Sequence, residues 1–224
     1  MKYYLDEQPL LINDLLVVLT PRIDHSRVVQ MFQKSDNLPL IKPYLISVQQ
    51  LNVKAVNEAY CELLIEEEDF KSLKEAVDRY ENFDNVGLAQ KLEKHELLEF
   101  RRIAAHLYKK NRRWKQSIAL SKKDKIYKDA METAAESKDS EIAEDLLQFF
   151  VEQEKRDCFA ACLYFCFDLL RPDVVLEIAW KNGLYDFAMP YMIQAFRDMT
   201  VRIDSLEKAN KERSVKDDER EKQG

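Results

Sequence analysis

Apolar side chains recur at helical spacing along most of the chain. Leu97, Phe100, Ala104 and Leu107 are separated by three, four and three residues, and the same spacing returns between residues 142 and 149. Residues three and four positions apart share one face of an α-helix, whereas a half-buried strand alternates at every second residue. Strand-like alternation is not evident in any segment. The pattern therefore predicts an all-α fold.

Prolines and polar clusters mark the ends of the predicted helices. Pro9 and Pro21 bracket one apolar segment, and Pro39, Pro43 and Pro172 stand where further helices are expected to begin. Proline is tolerated in the first turn of a helix because the amide proton that it lacks has no helical partner there. The predicted helices, of roughly ten to eighteen residues, are joined by short turns and must pack antiparallel to their sequence neighbours. Such an arrangement is either a compact bundle or a stack of helical hairpins.

An internal repeat favours the stack. The segment from Tyr127 to Met131 is echoed by the segment from Tyr185 to Met189, with Tyr, Ala and Met at the same relative positions. Alanines also recur at intervals of 28, 26, 30 and 28 residues, at Ala76, Ala104, Ala130, Ala160 and Ala188. Small residues at one place in each helix pair let neighbouring pairs approach closely, as a solenoid requires. We therefore expect one helix pair per repeat, and a compact bundle is the alternative.

The end of the chain has a different pattern. Apolar residues follow a four-three spacing that ends on a polar residue, at Met192, Phe196, Met199, Ile203, Leu206 and Asn210. This spacing predicts a short coiled-coil seam, in which Asn210 is the polar member. From Glu207 onward, twelve of eighteen residues are charged, six of each sign. Such a segment cannot bury a face, and we expect it to fray or to be disordered.

Composition narrows the classes of function. The 224 residues are 46% hydrophobic and 34% charged, which is enough apolar surface for a sizeable core. The three glycines, Gly87, Gly183 and Gly224, predict few backbone positions with positive φ, and hence few phosphate-cradling loops or tight hairpins. The formal net charge of −6 argues against general binding of nucleic acid, which requires clustered Lys and Arg.

The cysteines and the first residues indicate a cytosolic chain. Four cysteines in helical context are too few for a disulfide-stapled secreted domain, so we expect reduced thiols. The segment after Met1 lacks the apolar core of a signal peptide. The longest apolar run, Cys158 to Leu170, contains only Asp168 as a polar residue, but its thirteen residues are short of the roughly 20 that cross a bilayer. We expect a buried helix or an oligomer contact.

No motif for catalysis or metal binding is complete. The segment from His95 to Glu99 resembles a zinc-protease helix, but Glu99 stands where the second histidine is needed. His106 lies eleven residues later, about 16 Å along a helix, which is too far to complete a metal site. Motifs for nucleophilic elbows, P-loops and dinucleotide binding are not found. The sequence therefore predicts a non-enzymatic protein without a cofactor.

Three cysteines form a regular row. Cys158, Cys162 and Cys166 recur every four residues, so about 12 Å of helix separates the first from the last and one zinc ion cannot contact all three. Core packing is the simpler interpretation for them and for Cys61. The alternative is that the row meets symmetry-related copies of the chain, where small polarizable side chains pack closely.

One segment is strongly basic. Cations surround a single tryptophan at Lys109, Lys110, Arg112, Arg113, Trp114 and Lys115. The simplest interpretation is a solvated turn whose Trp114 points into the core. A docking site for an acidic protein helix is the second interpretation, and base stacking on nucleic acid is disfavoured in an acidic protein.

Long stretches of the sequence resemble the clathrin heavy-chain family. The resemblance extends from about Pro9 to Leu206. It is carried by residues 82–85, 92–97, 99–105, 113–117, 127–131, 169–177 and 186–191, which read NFDN, LEKHEL, EFRRIAA, RWKQS, YKDAM, LLRPDVVLE and DFAMPY.

The resemblance implies a fold and a division of the chain. It implies a right-handed α-solenoid of stacked helical hairpins that ends in a trimerisation helix. Residues 1–145 would belong to the last repeat of the proximal leg, residues 146–206 to the trimerisation region, and residues 207–224 to a charged, disordered tail.

The resemblance also implies a function. Three heavy chains would join into a three-legged triskelion, whose legs pack with those of other triskelia into the polyhedral coat of coated pits and vesicles. The chain would be cytoplasmic and would reach the membrane only through adaptors. We expect the trimer contacts at Cys158, Cys162, Cys166, Phe187, Met192, Phe196, Met199, Ile203 and Leu206.

The family also implies a second partner and a dependence of assembly on pH. Family members bind clathrin light chains, and the basic segment Lys109 to Lys115 and the helix that carries Cys166 are the candidate contacts. Family assembly favours mildly acidic pH, for which His25, His95 and His106 are the candidate sensors, because histidine titrates near pH 6.5. A monomeric helical adaptor or tether in vesicle traffic is the alternative function.

Overall fold

The computed structural model describes residues 11–221, and the side chains of residues 11–213. Within residues 11–221 the structure contains thirteen α-helices and no strand, so the all-α prediction is confirmed. The chain forms two compact units, and the boundary between them lies between Arg113 and Trp114. The predicted solenoid of stacked helical hairpins is confirmed as the fold class.

Within residues 11–113 the first unit contains seven helices. They are α1 (Ile12–Leu19), α2 (His25–Lys34), α3 (Lys42–Val48), α4 (Lys54–Glu66), α5 (Phe70–Arg79), α6 (Asn85–Leu92) and α7 (Leu98–Lys110). Short 3-10 turns at Thr20–Arg22, Leu38–Ile41 and Gln49–Leu51 separate the first four. The core of this unit is formed by buried aromatic and aliphatic side chains, including Phe32, Tyr44 and Phe100.

The second unit contains six helices around one buried cluster. They are α8 (Trp114–Lys123), α9 (Tyr127–Ser137), α10 (Ser140–Glu152), α11 (Arg156–Phe165), α12 (Pro172–Asn182) and α13 (Tyr185–Glu221). The cluster joins Phe150, Phe159 and Leu163 with residues of α12 and of the first turns of α13. Within this unit α8 packs against α9, α9 against α10, α10 against α11 and α12 against α13, and α11 also packs against α13.

The repeated alanines fall on every second helix. Ala76, Ala104, Ala130, Ala160 and Ala188 lie on α5, α7, α9, α11 and α13 respectively. All of them are buried or half-buried. The repeat of about 28 residues therefore corresponds to one helix pair.

The helix ends follow the sequence signals in part. Pro172 is the first residue of α12 and Pro43 the second of α3, as predicted. Pro21 and Pro39 lie instead in 3-10 turns, and Pro9 lies outside the described residues. Aspartate side chains accept backbone N–H groups at the start of four helices, at Asp24, Asp69, Asp84 and Asp139. These caps satisfy amide groups that have no helical partner.

The apolar run from Cys158 to Leu170 is not one helix. The helix α11 ends at Phe165, and Cys166, with φ −106° and ψ 23°, begins a turn. Pro172 opens the next helix, and the residue before a proline is disfavoured in helical conformation, so the chain must turn here. The last five residues of the run therefore form the connection to α12.

The expectation of few positive φ values was wrong. Among residues 11–221, seven non-glycine residues have φ between 50° and 59°, at Asp36, Asn52, Glu68, Arg112, Lys125, Lys138 and Glu154. Most of them follow a helix in the same geometry as Gly183. Glu154 donates its N–H to Val151 O at 3.0 Å and the next N–H, of Lys155, reaches Phe150 O at 2.9 Å. These two bonds satisfy terminal carbonyls and offset the strain that a side chain brings to this conformation.

In the part of the chain that the structure describes, no helix is both long and apolar enough to cross a bilayer.

Candidate assembly surface

The helix α13 is anchored by one face of its first three turns. Ala188, Tyr191, Met192 and Ala195 are buried, at intervals of three, one and three residues. This face packs against α11 and α12. The spacing is that of a single helix face, so these residues belong to the core of their own chain.

A buried hydrogen bond fixes the position of this anchor. The Tyr191 hydroxyl donates to Leu170 O at 2.8 Å, and its ring meets Phe167 edge-on with centroids 5.1 Å apart. Burial raises the pKa of Tyr191 to about 12, so this phenol keeps its proton at physiological pH. The connection between α11 and α12 is thereby tied to α13.

Beyond Ala195 the same helix leaves its core. From Phe196 to Arg213, a segment whose side chains are all described, no side chain is buried. The α-helix nevertheless continues to Glu221. At 1.5 Å per residue, the part after Ala195 is about 39 Å long. The predicted disorder of residues 207–224 stays a prediction.

The exposed part of α13 carries an apolar stripe. Phe196 is 57% exposed, Ile203 55% and Leu206 63%, and Met199 is exposed as well. With Asn210, these four residues keep the four-three spacing of the sequence, and we call the five residues the α13 seam. The stripe has no partner among the described residues of its own chain, since every member is exposed.

Further apolar side chains are exposed closer to the anchor. On α13, Tyr185, Met189 and Ile193 follow one another at intervals of four residues and are exposed. On α12, Leu176 and Trp180 are also four residues apart, and Trp180 is 66% exposed. We call these five residues the α12–α13 apolar patch. Exposed large apolar side chains that cluster on a soluble protein are typical of contact surfaces, so these five residues are candidates for a contact with another molecule.

The predicted trimer-contact residues fall into two groups. Phe196, Met199, Ile203 and Leu206 are accessible. Met192, Cys162 and Cys166 are buried in the chain's own core, and Phe187 and Cys158 are half-buried against it. The sequence pattern did not separate the two groups, because a core face and an oligomer face have the same helical spacing. The trimer role of all nine residues stays a prediction.

The cysteine row faces inward. Cys162 and Cys166 are inside the buried cluster, and the described cysteines are all free thiols. The hydrogen bond with Cys166, together with burial, raises the pKa of Cys162 and keeps it a thiol. Burial likewise raises the pKa of Cys61 to about 12. These cysteines therefore contribute to packing, as the simpler interpretation of the sequence proposed.

The basic segment runs from the last helix of the first unit into the second. Its first residues, Lys109 and Lys110, end α7, where the negative end of the helix dipole stabilises cations. Lys110 pairs with Glu81 at 3.3 Å and donates to Val77 O at 3.4 Å. Arg112 is the exposed residue with positive φ in the turn that follows.

The second unit contains the remaining residues of the basic segment. Trp114 is the first residue of α8, and its side chain is half-buried against the core cluster. This position agrees with the predicted solvated turn whose tryptophan points into the core. Lys115 pairs with Glu141 at 3.6 Å. The predicted light-chain contact at this segment stays a prediction.

The three histidines have different surroundings. His25 Nδ1 lies 2.6 Å from the Tyr44 hydroxyl. His95 Nδ1 accepts the Leu97 N–H at 3.1 Å. His106 Nε2 lies 3.0 Å from Asp78 Oδ1 at the surface. The pH role of the three histidines stays a prediction.

Comparison with known proteins identifies the family. A family model described as the region in clathrin and VPS matches residues 16–158. The clathrin heavy chain of Drosophila melanogaster is 61% identical over 221 residues, which are 99% of this chain and 13% of that protein. The clathrin heavy chain of Dictyostelium discoideum is 55% identical over 223 residues, 100% of this chain and 13% of that protein.

Human clathrin heavy chain 2 is 59% identical over 207 residues, which cover 92% of this chain and 13% of that protein. The chain thus spans about an eighth of the length of these relatives. The activity of the whole relatives is therefore not assigned to this chain. Both the match to the family model and the identity over nearly the full sequence show that the chain belongs to the clathrin heavy-chain family.

Proposed function

We propose that this chain is a structural segment of a clathrin coat, and that it joins three copies of itself through the α13 seam and the α12–α13 apolar patch. The observation that carries the proposal is the exposure of Phe196, Ile203 and Leu206 on a helix that has left its own core. Fully burying one such side chain contributes about 1.5–3 kcal/mol. Contact between copies is the direct way to gain that free energy.

The seam alone is too short to hold a trimer. It covers about two heptads, whereas stable coiled coils need three or four. The α12–α13 apolar patch supplies the additional surface, and Trp180 in particular is the kind of large side chain that dominates interfaces. The seam and the patch belong to the same helical hairpin, so one rotation can bury both.

A threefold rotation makes the assembly closed. Each copy then contacts one neighbour through one surface and the other neighbour through a second surface. Because the ring closes, no surface remains free to extend the assembly into a filament. When one leg is bound to the lattice, the two legs joined to it are held at a raised effective concentration. Each leg contact can therefore be weak, and the coat can assemble reversibly. In this role the chain lies in the cytoplasm on coated pits and vesicles, and it has no catalytic part.

A light chain is the second partner that we propose. The basic segment from Lys109 to Lys115 offers exposed cations to an acidic helix, although Lys110 and Lys115 already pair with Glu81 and Glu141. We therefore place the weight of this contact on the turn at Arg112, which is exposed.

The trimer is tested by the mass of the purified chain. We expect three times the chain mass of 26.5 kDa in light scattering at micromolar concentration. The double variant Phe196→Asp, Ile203→Asp should be a folded monomer, because a trimer of it would bury six charged groups in the seam. Helicity from circular dichroism shows whether the variant is folded.

A control separates the seam from the helix that carries it. Val201 is 66% exposed on the same helix but lies off the seam, so Val201→Asp should leave the trimer intact. A wild-type chain that stays monomeric at all concentrations would favour the alternative function, a monomeric adaptor. Equal loss of trimer in Val201→Asp and in the seam variant would also contradict the proposed contact.

A further inference from the structure

Two exposed residues of opposite charge flank the α13 seam. Counting heptads along α13 places Phe196, Ile203 and Asn210 at position a, and Met199 and Leu206 at position d. Arg202 then occupies position g and Glu207 position e of the following heptad. Both side chains are exposed, and they border the seam on opposite sides.

The five-residue separation is the spacing of an interhelical ion pair. In parallel coiled coils, a residue at g faces the e residue of the next heptad on the neighbouring helix, five positions later. A threefold rotation makes all three helices run in the same direction along the axis and sets equivalent residues at the same height. Arg202 of one copy therefore faces Glu207 of the next copy.

We propose that Arg202 of each copy pairs with Glu207 of the next copy around the axis, and that these three pairs fix the seam parallel and in register. The proposal rests on the trimer of the proposed function and adds the polar contact that orients it. Asn210, a polar residue at position a, sets the register in the same way at the end of the seam.

No other e or g residue near this pair offers a charged partner to Arg202 or Glu207. Between Met192 and Arg213, the other e and g residues are uncharged, at Ile193, Ala195, Thr200 and Ala209. A shift of one heptad would set Arg202 against Thr200. An antiparallel arrangement would set g against g and e against e, and so bring like charges together. Within this segment, only the parallel arrangement without a shift pairs Arg202 with Glu207.

Charge exchange in the full chain tests the pairing. Arg202→Glu should reduce the trimer association constant by about tenfold to a hundredfold, because three ion pairs become three like-charge contacts. Glu207→Arg should have the same effect. The double variant Arg202→Glu, Glu207→Arg restores three pairs with reversed polarity and should return the association constant to within about threefold of wild type.

Mixing the single variants gives a second readout. In a trimer with two copies of Arg202→Glu and one of Glu207→Arg, two of the three contacts again join opposite charges. Native mass spectrometry of an equimolar mixture should therefore show a larger share of mixed trimers than random assortment of the two variants gives. A statistical distribution of species would overturn the pairing.

Matched controls keep the net charge and the helix environment constant. Lys208→Glu changes the charge by the same amount as Arg202→Glu and also places Glu four residues after an Asp, but position f points away from the seam. Asp204→Arg is the matching control for Glu207→Arg, since each places Arg four residues before a Lys. Both controls should trimerise like wild type.

Sedimentation equilibrium at several ionic strengths distinguishes the possible failures. If wild type trimerises and Arg202→Glu behaves like Lys208→Glu, the ion pairing is overturned while the trimer stands. If wild type is monomeric, the proposed function fails and the pairing with it. A dimer at all concentrations would likewise overturn both.

Discussion

At the scale of single residues, helix ends determine several unusual backbone conformations. Gly183 ends α12 with φ 64°, and a Cβ built at this position would meet nothing within 4 Å. Glu154 ends α10 at φ 54° in the same hydrogen-bonding pattern. The two positions therefore differ in the presence of a side chain and share the backbone geometry.

This pair gives a stability prediction. Gly183→Ala should lower the free energy of unfolding by about 1 kcal/mol, because the left-handed conformation strains any residue with a Cβ. Glu154→Gly should raise it by roughly 0.5 kcal/mol, since the relief of strain is partly offset by the entropy of glycine in the unfolded chain. Urea unfolding of the two variants measures both changes. Shifts of the same sign would contradict the argument.

The sequence could not reveal these positions because the usual marker was missing. The chain has three glycines, but seven other residues take the conformation that glycine favours. Six of these seven are charged and one is Asn, residue types that are equally common on exposed helix faces. The conformation is dictated by where the preceding helix stops, which depends on tertiary packing rather than on the residue itself.

At the scale of elements, a cluster of asparagines connects the start of α4 to the turn before α6. Asn57 is buried, and its Nδ2 donates to Asn52 Oδ1 at 2.8 Å and to Asn82 O at 3.1 Å. Asn82 in turn donates its Nδ2 to Asn52 O at 2.9 Å. Asn82 opens one of the stretches that carry the resemblance to the clathrin heavy chain, so a family motif here has a structural role.

The asparagine cluster predicts unequal effects of two similar substitutions. Asn57→Ala should destabilise the first unit by about 1–3 kcal/mol, because it removes two hydrogen bonds that a buried side chain donates. Asn82→Ala removes one exposed hydrogen bond and should cost less than about 1 kcal/mol. Chemical unfolding followed by circular dichroism measures both. Equal losses would show that burial does not set the contribution of this cluster.

The elements themselves were predictable, but their partners were not. Helical spacing and Pro172 located α12, and the four-three spacing located the seam on α13. The same spacing includes Met192, which the structure buries in the chain's own core. Periodicity identifies an apolar face, but the identity of the covering surface depends on the fold. Cys162 and Cys166 show the same limit, because their row faces inward.

At the scale of the whole molecule, the geometric division of the chain differs from the predicted functional division. The boundary between the compact units lies between Arg113 and Trp114, whereas the predicted boundary between leg and trimerisation region follows residue 145. That residue lies inside α10, within the second unit. A solenoid has local contacts only, so a functional boundary need not coincide with a gap in packing. The boundary at residue 145 stays a prediction.

The two tryptophans provide a test of which surface of the second unit forms the proposed contact between copies. Trp180 is 66% exposed in the α12–α13 apolar patch, while Trp114 packs against the core cluster. Trp180→Ala should weaken trimer association by at least about tenfold, as loss of a central aromatic anchor does. Its effect on folding should be within about 0.5 kcal/mol, since the side chain touches little of its own chain.

Trp114→Ala should do the opposite, because its ring fills part of the core. We expect a loss of about 2–3 kcal/mol in the free energy of unfolding, less than for a fully buried tryptophan, and little change in the association of folded chains. Association itself raises apparent stability, so unfolding is best measured in the monomeric Phe196→Asp, Ile203→Asp background, and association by sedimentation of the otherwise wild-type chain. If Trp180→Ala instead lowers the free energy of unfolding as much as Trp114→Ala and leaves the association of folded chains unchanged, the patch belongs to the core. The seam alone would then have to hold three copies together, which two heptads cannot do.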